Sequence, residues 1–160
     1  MNITKERVKK EIVETVVYGI LGMLIALSFY WALKFALHTS TPMIAVISYS
    51  MVPTFTRGDV LIVRGVPPSE IKEGDIIVFY PPGINYPIVH RVTRAWKEGN
   101  RYYYSTRGDA NIGTLVVERK IPYEWVEGKV VCIKGKPIVI PRIGYVKIVV
   151  MEAITGKRIG

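Results

Sequence analysis

Two serines, one histidine and a few aspartates carry the chemistry that this sequence can support. Ser48-Tyr49-Ser50-Met51-Val52-Pro53-Thr54 sets a serine pair at the end of an apolar run, with Pro53 placed to break it. A serine hydroxyl is a weak nucleophile until a neighbouring base takes its proton. A lysine base needs strong desolvation to be neutral near pH 7. An imidazole, with a reference pKa of ~6.5, needs little adjustment. Of the two histidines, His38 and His90, only His90 falls in the β-rich part of the chain. A neutral imidazole works best as a base when a carboxylate holds its other nitrogen. Acids near strand ends are Asp59, Asp75 and Asp109, each in a Gly-Asp pair. Gly-Asp is also an ordinary turn pair, and the residues alone do not choose among the three.

These groups need elements to hold them. Short β-branched runs separated by Gly, Pro and Asp fill residues 38–140: MIAVIS (43–48), VLIVRG (60–65), IIVFY (76–80), IVHRVTRAW (88–96), RYYYSTR (101–107) and KVVCIKG (129–135). Such runs read as strands of a mainly β domain, and Lys97-Glu98-Gly99-Asn100 reads as a hairpin loop. Ahead of them, residues 1–12 are short and basic, and residues 13–37 form an apolar stretch with no charge from Val16 to Leu33. About 20 helical residues cross the hydrocarbon core. Tyr30, Trp31 and Lys34 stand where interfacial anchors belong. The stretch is longer than a signal-peptide core and lacks a small-residue cleavage pattern, so it reads as a transmembrane helix. The basic flank predicts a cytoplasmic N-terminus and an extracytoplasmic β domain on a single-pass cell-membrane protein. Residues 141–160 hold an apolar stretch interrupted by Lys147 and Glu152. It suits an interfacial or re-entrant helix, or a last core element.

Composition narrows the classes further. The chain has 160 residues, 49% hydrophobic, with 22 Lys plus Arg against 13 Asp plus Glu and a net charge of +9. The basic residues are scattered, which favours a lipid bilayer surface over nucleic acid. Cys132 is the one cysteine and forms no internal disulfide; with no Cys/His cluster, no metal or cofactor is expected. No GxGxxG or phosphate-binding loop is present.

VISYSMVPTFTRGDVLIV, IKEGDIIVFY, PIVHRV and STRGDAN, in that order, resemble the sequence boxes of type I signal peptidases. The resemblance covers about residues 10–150. His90-Arg91-Val92, where bacterial members carry lysine, is similar to the archaeal and endoplasmic-reticulum Ser-His subgroup. The resemblance implies a signal-peptidase-like β-sheet domain behind an N-terminal membrane helix, followed by a short apolar C-terminal helix. It implies Ser50 as nucleophile, His90 as general base and Ser48 as an oxyanion-hole donor. Met51 and Pro53 are then turn and pocket-wall residues, and signal peptides of secretory preproteins are the substrates. The acidic box departs from the family pattern. Gly108-Asp109-Ala110-Asn111 is present, yet positions 114 and 115 are Thr and Leu, and the next acid is Glu118. Three arrangements follow: Asp109 orients His90, Glu118 does so from a shifted loop, or a Ser/His pair works alone. Asp109 is the expectation taken forward.

The competing readings are another regulated serine peptidase on the same β-fold and a non-catalytic membrane-anchored binding module. The sequence leaves the particular substrates, any partner subunits and the role of Cys132 undecided.

Overall fold

The computed structural model describes residues 2–156. Met1 and residues 157–160, the last four of the predicted C-terminal segment, lie outside them. The chain divides into two compact units, Met1–Ala36 and Leu37–Gly160.

The first unit is helical. Helix α1 spans Asn2–Leu37, starting before the predicted apolar stretch because Lys, Glu and Arg are themselves good helix formers. Lys10 and Glu14 pair one turn apart at 3.8 Å. By length and composition, Arg7–Leu37 is sufficient to cross a membrane. At its end the Lys34 ammonium lies 4.9 Å from the Trp31 ring centre.

The second unit is a curled antiparallel sheet. In chain order its strands are β1 (Met43–Ala45), β2 (Val60–Arg64), β3 (Ile76–Phe79), β4 (Ile88–Glu98), β5 (Arg101–Arg107), β6 (Ile121–Pro122), β7 (Val126–Val130), β8 (Cys132–Ile133), β9 (Lys136–Pro137) and β10 (Val139–Ile140). The main sheet runs β1-β2-β7-β3-β4-β5-β6, with β10 also on β2, while β8 and β9 form a separate hairpin. Side chains of a strand alternate between faces, and β3 shows what that achieves. All four of its residues are buried. Ile76 and Val78 join Ile44, Met51, Phe55, Leu61 and Val63 in one apolar cluster. Ile77 and Phe79 join Val66, Val92, Tyr104 and Ile121 in the other. The site is therefore built on a strand packed from both sides.

The β4–β5 hairpin turns tightly at Gly99-Asn100, with Glu98 opposite Arg101; Gly99, at φ 58°, supplies the left-handed backbone that this turn requires. The predicted first strand is shorter than expected. It ends at Ala45, although Val46 still exchanges backbone hydrogen bonds with Gly58 and Asp59. The run KVVCIKG is divided between β7 and β8. The C-terminal segment forms helix α2, Gly144–Thr155, with Gly144 and Ile148 buried. A side chain at Gly144 would come within 2.8 Å of the Gly58 carbonyl and 3.1 Å of the Ala45 Cβ. This close approach seats the helix on β1, and Arg57 pairs with Glu152 at 2.9 Å to hold it.

Candidate active site

Ser50 is presented by a turn rather than a strand. Thr54 and Phe55 donate backbone hydrogen bonds to the Met51 carbonyl, and Val52 donates to Tyr49. Met51 is 1% exposed and plugs this turn into the core. Ser50 is thereby left half-buried at the surface of the sheet. His90 comes from the start of β4, opposite Ile77 of the buried strand β3, and is 5% exposed. Its Nε2 lies 2.9 Å from the Ser50 Oγ. Forty residues apart in the chain, the two expected partners are in hydrogen-bond contact.

The imidazole's other nitrogen, Nδ1, is bonded to Glu118. Glu118 sits in a single 3₁₀ turn, Val116–Glu118, between β5 and β6, and is fully buried. Three donors converge on its carboxylate. Besides His90, the Thr106 hydroxyl donates at 3.0 Å and the Leu115 backbone N–H at 3.0 Å. Burial pushes the Glu118 carboxyl up, but the hydrogen bonds from His90, Leu115 and Thr106 outweigh it and hold the group below its ordinary value. An ionised carboxylate only accepts, so Nδ1 carries the proton and the Nε2 lone pair faces the serine hydroxyl.

The expectation that Asp109 orients His90 is corrected by this geometry. Successive residues of a strand point to opposite faces, so His90 and Arg91 diverge, and Asp109 lies on the Arg91 side. Its carboxylate receives Arg91 Nε at 2.8 Å and Nη2 at 2.7 Å, together with the Thr54 hydroxyl at 2.5 Å. The Arg91 hydrogen bond, with support from Thr54, holds the Asp109 carboxyl below its usual range. Asp109 thus ties the nucleophile turn, through Thr54, to β4. The same loop closes on Ser50 directly, because Ala110 donates its N–H to the Ser50 carbonyl at 2.9 Å. The other two Gly-Asp acids are elsewhere: Asp59 binds the Thr56 and Arg142 backbones, and Asp75 pairs with Lys129 at 3.0 Å.

Ser48 Oγ lies 3.1 Å from Ser50 Oγ, so its hydroxyl stands beside the nucleophile. A cavity of about 560 Å³ opens from this point, lined by Ser48, Ser50, Met51 and His90 and then by apolar residues of β1 and β4. Pro53, which follows a cis peptide bond, is exposed in the turn and is not among its lining residues. No group of three or more His, Cys, Asp or Glu side chains able to hold a metal ion occurs among the described residues.

A serine joined to a buried His–carboxylate pair at the head of an apolar cavity is the arrangement of a serine hydrolase. Comparison with known proteins supplies the class. Residues 13–159 match the family model described as signal peptidase, peptidase S26. Signal peptidase complex catalytic subunit SEC11 of Scheffersomyces stipitis is 33% identical over 119 residues, 72% of this chain and 69% of that protein. The protein of the same name from Clavispora lusitaniae is 32% identical over 123 residues, covering 76% and 72%. That from Zygosaccharomyces rouxii is 34% identical over 131 residues, covering 79% and 76%. The chain belongs to the signal peptidase family and is a hydrolase of that kind.

Proposed function

We propose that this chain removes signal peptides from secretory preproteins as a membrane-anchored serine endopeptidase. Ser50 is the nucleophile, His90 the general base, and Glu118 the residue that positions and charges the base. The observation that carries the reading is the continuous hydrogen-bonded chain from Ser50 Oγ through both ring nitrogens of His90 to Glu118.

The Ser50 oxygen attacks the carbonyl of the residue before the cleavage site while His90 Nε2 takes its proton. Glu118 stabilises the imidazolium that forms. The Ser48 hydroxyl and the Ser50 backbone N–H stabilise the oxyanion, and losing one such donor costs ~2.7–4 kcal/mol in transition-state stabilisation. As the C–N bond breaks, His90 returns the proton to the leaving amine, leaving an acyl-serine. Water then attacks the ester with His90 again as base, releasing the signal peptide's new carboxyl end and free Ser50. Anchored by α1, with its N-terminus in the cytoplasm and the β unit outside, the enzyme meets a membrane-embedded substrate at high effective concentration. The names of the relatives extend the reading to partner subunits accompanying this chain.

The test is cleavage of a preprotein with an Ala-x-Ala site by full-length protein in lipid-detergent micelles. Wild type should cleave after the last alanine, and Ser50→Ala and His90→Ala should each lose at least a thousandfold in turnover. Persistent cleavage by Ser50→Ala would overturn the assignment.

A further inference from the structure

The cavity beside Ser50 is lined almost throughout by uncharged side chains: Ile44 of β1, Val46 and Ile47 just after it, Ile88 and Val89 of β4, and Ile148 of α2. One permanently charged residue joins them, Lys147. It precedes the buried Ile148 by one position, and Met151, one turn on, lines the same cavity. Because α2 is seated on β1 through Gly144, a fixed helix holds Lys147 at the edge of the cavity, with its side chain exposed to solvent. No salt bridge engages Lys147 among the described residues; the neighbouring Glu152 is paired with Arg57.

We infer that Lys147 is a charge-selecting residue for the segment of substrate upstream of the scissile bond; the inference rests on the function proposed above. The apolar part of a signal peptide precedes its cleavage site, so the apolar length of the cavity takes that side of the substrate. An extended peptide advances ~3.3 Å per residue with alternate side chains facing each wall. One upstream position therefore passes α2, where the lysine attracts a carboxylate and repels an ammonium. At ~7 Å and an effective dielectric of ~40, that interaction changes kcat/KM about five- to tenfold per unit charge.

The experiment uses full-length protein in neutral lipid micelles and a set of Ala-x-Ala peptides. Each upstream position other than the alanines carries Asp, Asn or Lys in turn. Wild type should prefer Asp over Lys at one position by more than tenfold, Lys147→Gln should flatten that preference, and Lys147→Glu should invert it. Wild-type cleavage of the Asn peptides separates the inference from the catalytic assignment: wild type failing on them indicts the peptidase reading, whereas the inference is read from each enzyme's Asp-to-Lys ratio taken against its own rate on Asn peptides. An unchanged Asp-to-Lys ranking in Lys147→Glu would overturn the inference. So would a variant that keeps its ranking but loses affinity for anionic vesicles, which would give the lysine to lipid phosphate instead.

Discussion

Replacing Glu118 by glutamine isolates what its charge does. Glutamine keeps the length and planarity of the side chain but carries one acceptor oxygen where three donors now converge, from His90, Thr106 and Leu115. The electrostatic part follows from contact with the ring: a carboxylate and an imidazolium ~4 Å apart attract by about 4 kcal/mol at an effective dielectric of 20. That is close to a thousandfold in rate. The amide can also present its NH₂ to the ring, fixing the wrong tautomer, and carboxylate-to-amide exchange in such a triad costs about 10⁴ in turnover. Glu118→Gln should therefore lower kcat by 10³–10⁴ with KM nearly unchanged, since Glu118 is fully buried and behind the histidine. Mismatched donors at the amide cost ~1–3 kcal/mol of stability, and each of these lowers Tm by about 2–4 °C at this size. The assay is single-turnover cleavage at a temperature where melting curves show both proteins folded. Asp109→Asn serves as the comparison. If folded Glu118→Gln kept more than a tenth of wild-type kcat while Asp109→Asn lost a thousandfold, the positioning acid would have been misassigned.

Two further outcomes follow from the surrounding geometry. A methyl group at Gly108 would lie 2.6 Å from the Ser50 carbonyl oxygen and 2.9 Å from His90 Nε2. Gly108→Ala should thus push the two apart and lower kcat at least a hundredfold, with Ser50 less reactive to an acylating fluorophosphonate; normal labelling would contradict this. Asp109 has a depressed pKa, so the stability it confers is complete above the ordinary carboxylate value of ~4 and is lost as pH falls through the lower folded value. Melting temperatures of full-length wild type and Asp109→Asn should differ at pH 7 and converge towards pH 3. A constant gap would show that the Arg91 pairing does not depend on this ionisation.

The parts of the site that were legible are those encoded locally. The serine pair stands out by its place before Pro53, the resemblance of its box to the family's picks Ser50 from the pair, and His90 is the single histidine within the β-rich runs. The β4–β5 hairpin is equally local, because Gly99-Asn100 closes it. The insertion of β7 between β2 and β3 is a pairing between distant segments, and no local pattern specifies it. Glu118 was visible only as an alternative to Asp109. A lone acid after Gly-Thr-Leu-Val-Val resembles a solvated loop residue until the donors that bury it are brought in from β4 and β5. Asp109 drew the expectation because STRGDAN resembles the family's acidic box; that loop does reach the site, while the alternation of β4 assigns Asp109 to Arg91. Lys147 registered only as a break in an apolar tail, since the cavity it borders exists only after α2 docks.

The bond from the Leu115 N–H back to the Glu118 carboxylate has an evolutionary consequence. The acid closes the turn that carries it, so its local conformation is set by a small self-contained ring, while His90 of β4 and Thr106 of β5 set where that ring docks. Asp109 and Ala110 are tied to Arg91, Thr54 and Ser50, so a change in loop length is better absorbed at residues 112–114 than at the start of the loop. Assigning this role by position alone would misplace it if residues were inserted or removed there. The unit to transplant between such enzymes is the acid together with its turn.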